Sequence, residues 1–88
     1  MYKLEIRKNV VAILKKLKKK DRTRYEAIHK KVNEILKDPT RYKKLKRPLQ
    51  YLRRVHFGSF VLIFSVDEKT KTVILEDYDH HDNIYKVR

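Results

Sequence analysis

Apolar and polar residues change period several times along this chain, and each change marks an element. Tyr2, Leu4 and Ile6 alternate with Lys3, Glu5 and Arg7, the two-residue period of a half-buried strand. Val10, Ile13, Leu14 and Leu17 then recur at helical spacing, with Asn9 placed to cap the helix and lysines on its other face. This helix is expected to stop within KKKD, where Asp21 can cap a second helix striped by Tyr25, Ile28, Val32, Ile35 and Leu36. Asp38-Pro39 ends the second helix, because a residue before proline avoids helical dihedrals. A short turn between two such helices implies an antiparallel pair. The segment from Thr40 to Gln50 has no clean period and reads as a basic connector anchored by Tyr42, Leu45 and Leu49. Three strands follow: YLRRVHF, FVLIFSV and KTVILEDY, separated by Gly58-Ser59 and by Asp67 to Lys71. The prediction is an α+β domain: an N-terminal strand, a helical hairpin on one sheet face, then a three-stranded antiparallel meander, all one domain over residues 1–88.

Gly58-Ser59 suits a type II′ turn, and that turn fixes the pairing. Phe57 faces Phe60, His56 faces Val61, Val55 faces Leu62, and Arg54 faces Ile63. Val55, Phe57, Phe60 and Leu62 then share the helix-covered face. Arg54 and His56 emerge together on the other, while Arg53 points away as a solvent or edge residue. By periodicity alone, Arg54 and His56 belong to an ordinary polar outer face.

Composition narrows the partners. The net charge of +13 lies wholly in residues 1–50, with 18 Lys/Arg against 5 Asp/Glu; residues 51–88 hold 6 of each. A polyanion suits such a surface, since every neutralised phosphate releases counterions; an acidic protein is the other candidate. The chain has no cysteine, which excludes disulfides, thiolate catalysis and cysteine-based zinc sites. No apolar run approaches the roughly 20 residues needed to span a bilayer, and MYKLEIRK is not a signal peptide, so a cytoplasmic location is expected.

The tail LEDYDHHDNIYKVR gathers histidines, acids and tyrosines. On an extended strand His80 and His81 point to opposite faces, so chelation of a metal with Asp82 is not expected. Leu75, Tyr78, Ile84 and Tyr85 are expected to pin the last strand to the core. Asp77, Asp79 and Asp82 would pair with the lysine-rich half.

The order of elements, the basic connector KLKRPL, the hairpin RRVHFGSFVLIFSVD and the ending HHDNIY together resemble the RelE/ParE superfamily of toxins from type II toxin–antitoxin systems. The resemblance covers nearly the whole chain and implies a RelE-like protein that enters the ribosomal A site and cuts messenger RNA without metal or cofactor. It implies Arg54, His56, His81 and Tyr85 as the catalytic set. Lys43, Lys44, Lys46 and Arg47 would grip phosphates. An acidic antitoxin, the ribosome and mRNA would be the partners, with no membrane or small-molecule ligand. One position departs: where the family often carries an arginine early in the strand after the turn, this chain has Val61. A ParE-like poison of DNA gyrase and a non-catalytic RNA- or ribosome-binding domain are the alternatives.

Overall fold

The computed structural model describes the backbone of residues 1–86 and the side chains of residues 1–84. Its elements are β1 (Lys3–Ile6), α1 (Lys8–Lys20), α2 (Arg22–Lys37), a 3₁₀ turn (Pro39–Arg41), β2 (Leu52–Phe57), β3 (Phe60–Asp67), β4 (Thr72–His80) and α3 (His81–Lys86). The expected α+β architecture stands. β2, β3 and β4 form the antiparallel meander, and β1 adds in parallel to β4, giving the order β1-β4-β3-β2.

The two helices end where their sequence changes. The Asp21 carboxylate accepts from the Arg24 backbone N–H at 3.1 Å, capping α2 as its position implied. Asn9 does not cap α1. The helix begins two residues earlier, with Arg7 at the cap position and no side-chain bond there. Asn9 instead turns its amide to the sheet and donates to the Asp77 carboxylate at 3.3 Å. A tertiary acceptor displaced a local one.

Val10, Ile28, Val32, Ile35 and Leu36 pack with Val55, Leu62, Phe64, Val73, Leu75 and Tyr78 into the main core. Phe57 and Phe60 lie against it, so the helix-facing side of the hairpin is the expected one. β1 is an edge strand. Ile6 and Tyr2 reach the core, but Leu4 remains 40% exposed, less buried than alternation alone suggests. Its start is tied down by Tyr2, whose hydroxyl donates to the Glu68 carboxylate at 2.8 Å while Lys71 approaches the same acid at 3.1 Å. These two contacts hold the Glu68 pKa below its ordinary value, the tyrosine bond contributing most. That increment to folding is present above the unfolded carboxylate range and fades as pH falls through the folded value.

The opposite sheet face is not a bare polar surface. Leu45, Leu52, Val61, Ile63 and Ile84 form a second buried cluster there, with Leu49 at its margin. The connector supplies Leu45 and Leu49; the short C-terminal helix supplies Ile84. Alternation along β3 revealed that both faces carry apolar residues, and the fold covers both.

Candidate functional site: the basic face of the β2–β3 hairpin

The hairpin closes as expected. Gly58 has φ of +62°, and the only non-glycine residue with positive φ among the described residues is Lys71, so Ser59 keeps a negative φ and the turn is of the II′ kind. Pairing follows without a slip: Arg54 with Ile63, Val55 with Leu62, His56 with Val61, Phe57 with Phe60. Arg54 and His56 therefore stand two residues apart on one face, Arg54 half-buried and His56 exposed, beside the second cluster.

The connector reaches the same place through backbone pairing. Lys44 bridges Arg53 in antiparallel fashion, the Arg54 N–H donates to the Lys43 carbonyl at 3.1 Å, and the Leu45 N–H to the Leu52 carbonyl at 2.9 Å. This register sets Lys43 opposite Arg54 on one face, and the burial of Leu45 beside Leu52 agrees with it. Lys44, Lys46 and Arg47 are exposed along the same edge. Among the described residues, no carboxylate lies within ion-pair distance of Lys43, Lys44, Lys46, Arg47 or Arg54. The hairpin thus presents cations that no carboxylate among the described residues neutralises.

Arg53 has a part that its sequence position did not reveal. Its guanidinium donates to the Tyr42 carbonyl at 2.7 Å and to the Thr40 carbonyl at 3.3 Å, holding the connector against the β2 edge. A charged donor on backbone carbonyls is stronger than a neutral one and two bonds fix its direction. Arg53→Ala is expected to free the connector from the β2 edge and lower stability by about 1–3 kcal/mol, since it removes a charged donor from two backbone carbonyls. Chemical denaturation of the variant checks this loss.

At the turn end of the sheet, β4 passes directly into α3, and the His81 N–H donates to the Ser59 carbonyl at 2.9 Å. His81 is therefore anchored to the hairpin turn that follows His56. The expectation that His80 and His81 point apart is overturned. The chain leaves the extended conformation between them, and the rings stack with centroids 4.7 Å apart. Asp82 joins them: its carboxylate lies 3.1 Å from His81 Nδ1, and its N–H donates to His80 Nδ1 at 3.2 Å. The ligand atoms of His80, His81 and Asp82 lie within 4.8 Å of one another, but His80 Nδ1 already accepts a hydrogen bond, and that bond rather than an ion pair at 3.6 Å describes it.

The acids of the tail divide. Asp77 meets the lysine-rich half by accepting from the Asn9 amide. Asp79 instead accepts from the His80 N–H at 2.7 Å and from Asn83 at 3.2 Å, and Asp82 pairs with the histidines. Glu76 also reaches the lysine-rich half, bonding Arg7 at 3.0 Å. Asp79 and Asn83, four residues apart, were the available sequence signal for a helical start. Leu75 and Tyr78 are in the main core and Ile84 is buried in the second. The Tyr85 side chain lies outside the described residues. Val61, where the family often has arginine, is fully buried in the second cluster.

A strand, a helical pair and a meander with a basic hairpin face define a small α+β domain suited to an anionic partner. A family described as "ParE toxin of type II toxin-antitoxin system, parDE" matches residues 4–85. A relative from Methanocaldococcus jannaschii named "Putative toxin RelE4" is 53% identical over 87 residues, covering 98% of this chain and 93% of that protein. The fold resembles the toxin–antitoxin complex RelBE2 of Mycobacterium tuberculosis at a TM-score of 0.75 and 22% identity, over 90% of this chain and 96% of that one. It resembles isolated Escherichia coli RelE toxin at 0.75 and 16% identity, over the full length of both. The chain belongs to the RelE/ParE superfamily of type II toxin–antitoxin toxins.

Proposed function

We propose that this toxin cuts messenger RNA on the ribosome by driving a ribose 2′-hydroxyl against its own 3′-phosphate. The 2′-oxygen bonds to phosphorus, the bond from phosphorus to the next nucleotide's 5′-oxygen breaks, and the proton lost from the nucleophile is balanced by one given to the leaving oxygen. The products are a 2′,3′-cyclic phosphate and a free 5′-hydroxyl. The observation that carries this reading is the shared face of Arg54 and His56, flanked by Lys43, with no carboxylate among the described residues within ion-pair distance of Lys43 or Arg54.

Arg54 would hold the scissile phosphate and the charge that builds on it. His56 and His81 are the side chains that would give and take the protons, a role for which a permanently charged guanidinium is poorly suited. Tyr85 would stack on or orient a nucleotide. Lys43, Lys44, Lys46 and Arg47 would grip phosphates without reading sequence. An acidic antitoxin is the natural silencing partner for a +13 surface, in keeping with the antitoxin in the RelBE2 complex.

The test is cleavage of ribosome-bound mRNA by wild type, His81→Ala and Tyr85→Phe. His81→Ala is expected to lose about 10²-fold in rate, the scale of a positioned acid or base, and Tyr85→Phe to lose less, because its ring still stacks, with circular dichroism unchanged in both. Undiminished cleavage in both would remove them from the site. The match to the ParE description and the burial of Val61 favour a second reading, poisoning of DNA gyrase. Inhibition of supercoiling, with intact mRNA, would establish that reading instead.

A further inference from the structure

We infer that the outer surface of α1 is a second RNA-binding site, on the side of the sheet away from Arg54. The helix carries Lys8, Lys15, Lys16, Lys18, Lys19 and Lys20 and no acid. Lys15/Lys19 and Lys16/Lys20 are like-charge pairs at i,i+4, and Lys15/Lys18 and Lys16/Lys19 at i,i+3; each disfavours the helix. α2 manages its charge differently. Arg22 pairs with Glu26, Arg24 with Asp21, and Lys31 with Glu34. None of the lysines from Lys15 to Lys20 has an ion-pair partner among the described residues. Complementing the helix dipole accounts for Lys18, Lys19 and Lys20 in the last turn, where they belong. It does not account for Lys15 and Lys16, which lie before that turn.

The surface suits a phosphate backbone better than other anions. Lys15, Lys16, Lys18 and Lys19 line a shallow depression of about 260 Å³, walled by their alkyl stems. Large exposed apolar side chains are confined to Met1, Leu4 and Tyr51 among the described residues, so α1 offers no anchor for an acidic protein, whose interface would also avoid lysine at its centre. Val10, Ile13, Leu14 and Leu17 face the core, which leaves no apolar face for a membrane. Flexible point charges on an exposed helix contact phosphates without reading bases. α1 covers one side of the sheet, whereas Arg54 and the second cluster occupy the other, so the domain would sit between two RNA segments. The choice of RNA over DNA rests on the nuclease reading; the charge argument does not.

Binding of the full chain to a ribosome-free RNA duplex, titrated in salt by fluorescence anisotropy, tests the surface. Replacing Lys15, Lys16 and Lys19 together by alanine, which improves helix propensity and so protects the fold, is expected to flatten the slope of log K against log salt by about 2 and weaken binding about tenfold at 0.1 M salt. An unchanged slope would overturn the inference, as would tighter binding of polyglutamate than of the duplex. A photo-crosslinking residue at position 16 in cells is expected to capture RNA; capture of DNA or protein instead would overturn the assignment to RNA. Loss of slope in a protein that never cuts mRNA would uphold this surface and reject the nuclease reading.

Discussion

Arg54→Ala is expected to lower mRNA cleavage on the ribosome by about 10²–10³-fold, the cost of removing one preorganised charge-stabilising donor. The position makes the effect specific. Arg54 is fixed in the backbone by strand pairing with Ile63 and by its N–H bond to the Lys43 carbonyl, on the sheet face that carries the second apolar cluster. Val61 stands where the resemblance leads one to expect another cation on this face, and among the described strand residues no second arginine lies on it. Loss should appear in kcat more than in KM, because the charge matters most when phosphorus is five-coordinate. Arg54→Lys, which keeps the charge but loses the planar fork, should recover part of the rate. Single-turnover cleavage on programmed ribosomes reads both variants. A rate within threefold of wild type for Arg54→Ala would end the catalytic role assigned to this face.

Ile84→Ala is the other large effect, and it acts through the fold. Ile84 is 2% exposed and packs with Leu45, Leu52, Val61 and Ile63. Truncating such a side chain costs about 2–5 kcal/mol, a large share of the roughly 5–15 kcal/mol that stabilises a domain. Chemical denaturation should report that loss as a lower midpoint with little change in slope. The substitution also loosens α3 from the sheet, and α3 carries His81. Cleavage is therefore expected to fall even under conditions where the domain remains folded, whereas Val10→Ala, in the main core, should cost stability with a smaller effect on the rate of the folded fraction. Equal effects of the two on that rate would mean that α3 does not serve the site.

Much of this protein could be read in one dimension because its information is local. The helical stripes, the Asp21 cap, the Asp38-Pro39 stop and the Gly58 turn each depend on residues within a few positions of one another. The turn then fixed the register of β2 and β3, and with it the company of Arg54 and His56, since a two-residue loop leaves no freedom to slip. The charge asymmetry likewise needed no coordinates.

What escaped was set by contacts between distant segments. Asn9 left its capping position for Asp77, Arg53 proved to be the tie on the connector, and the outer hairpin face gained an apolar cover from Leu45 and Ile84. The tail turned helical after His80, bringing two histidines together that an extended chain would separate. Periodicity reports which side of an element is apolar but not what lies across from it. Only the folded chain, balancing burial on both sheet faces against the bonds its backbone could make, decided that the basic hairpin, its connector and the C-terminal helix would meet over one face of the sheet.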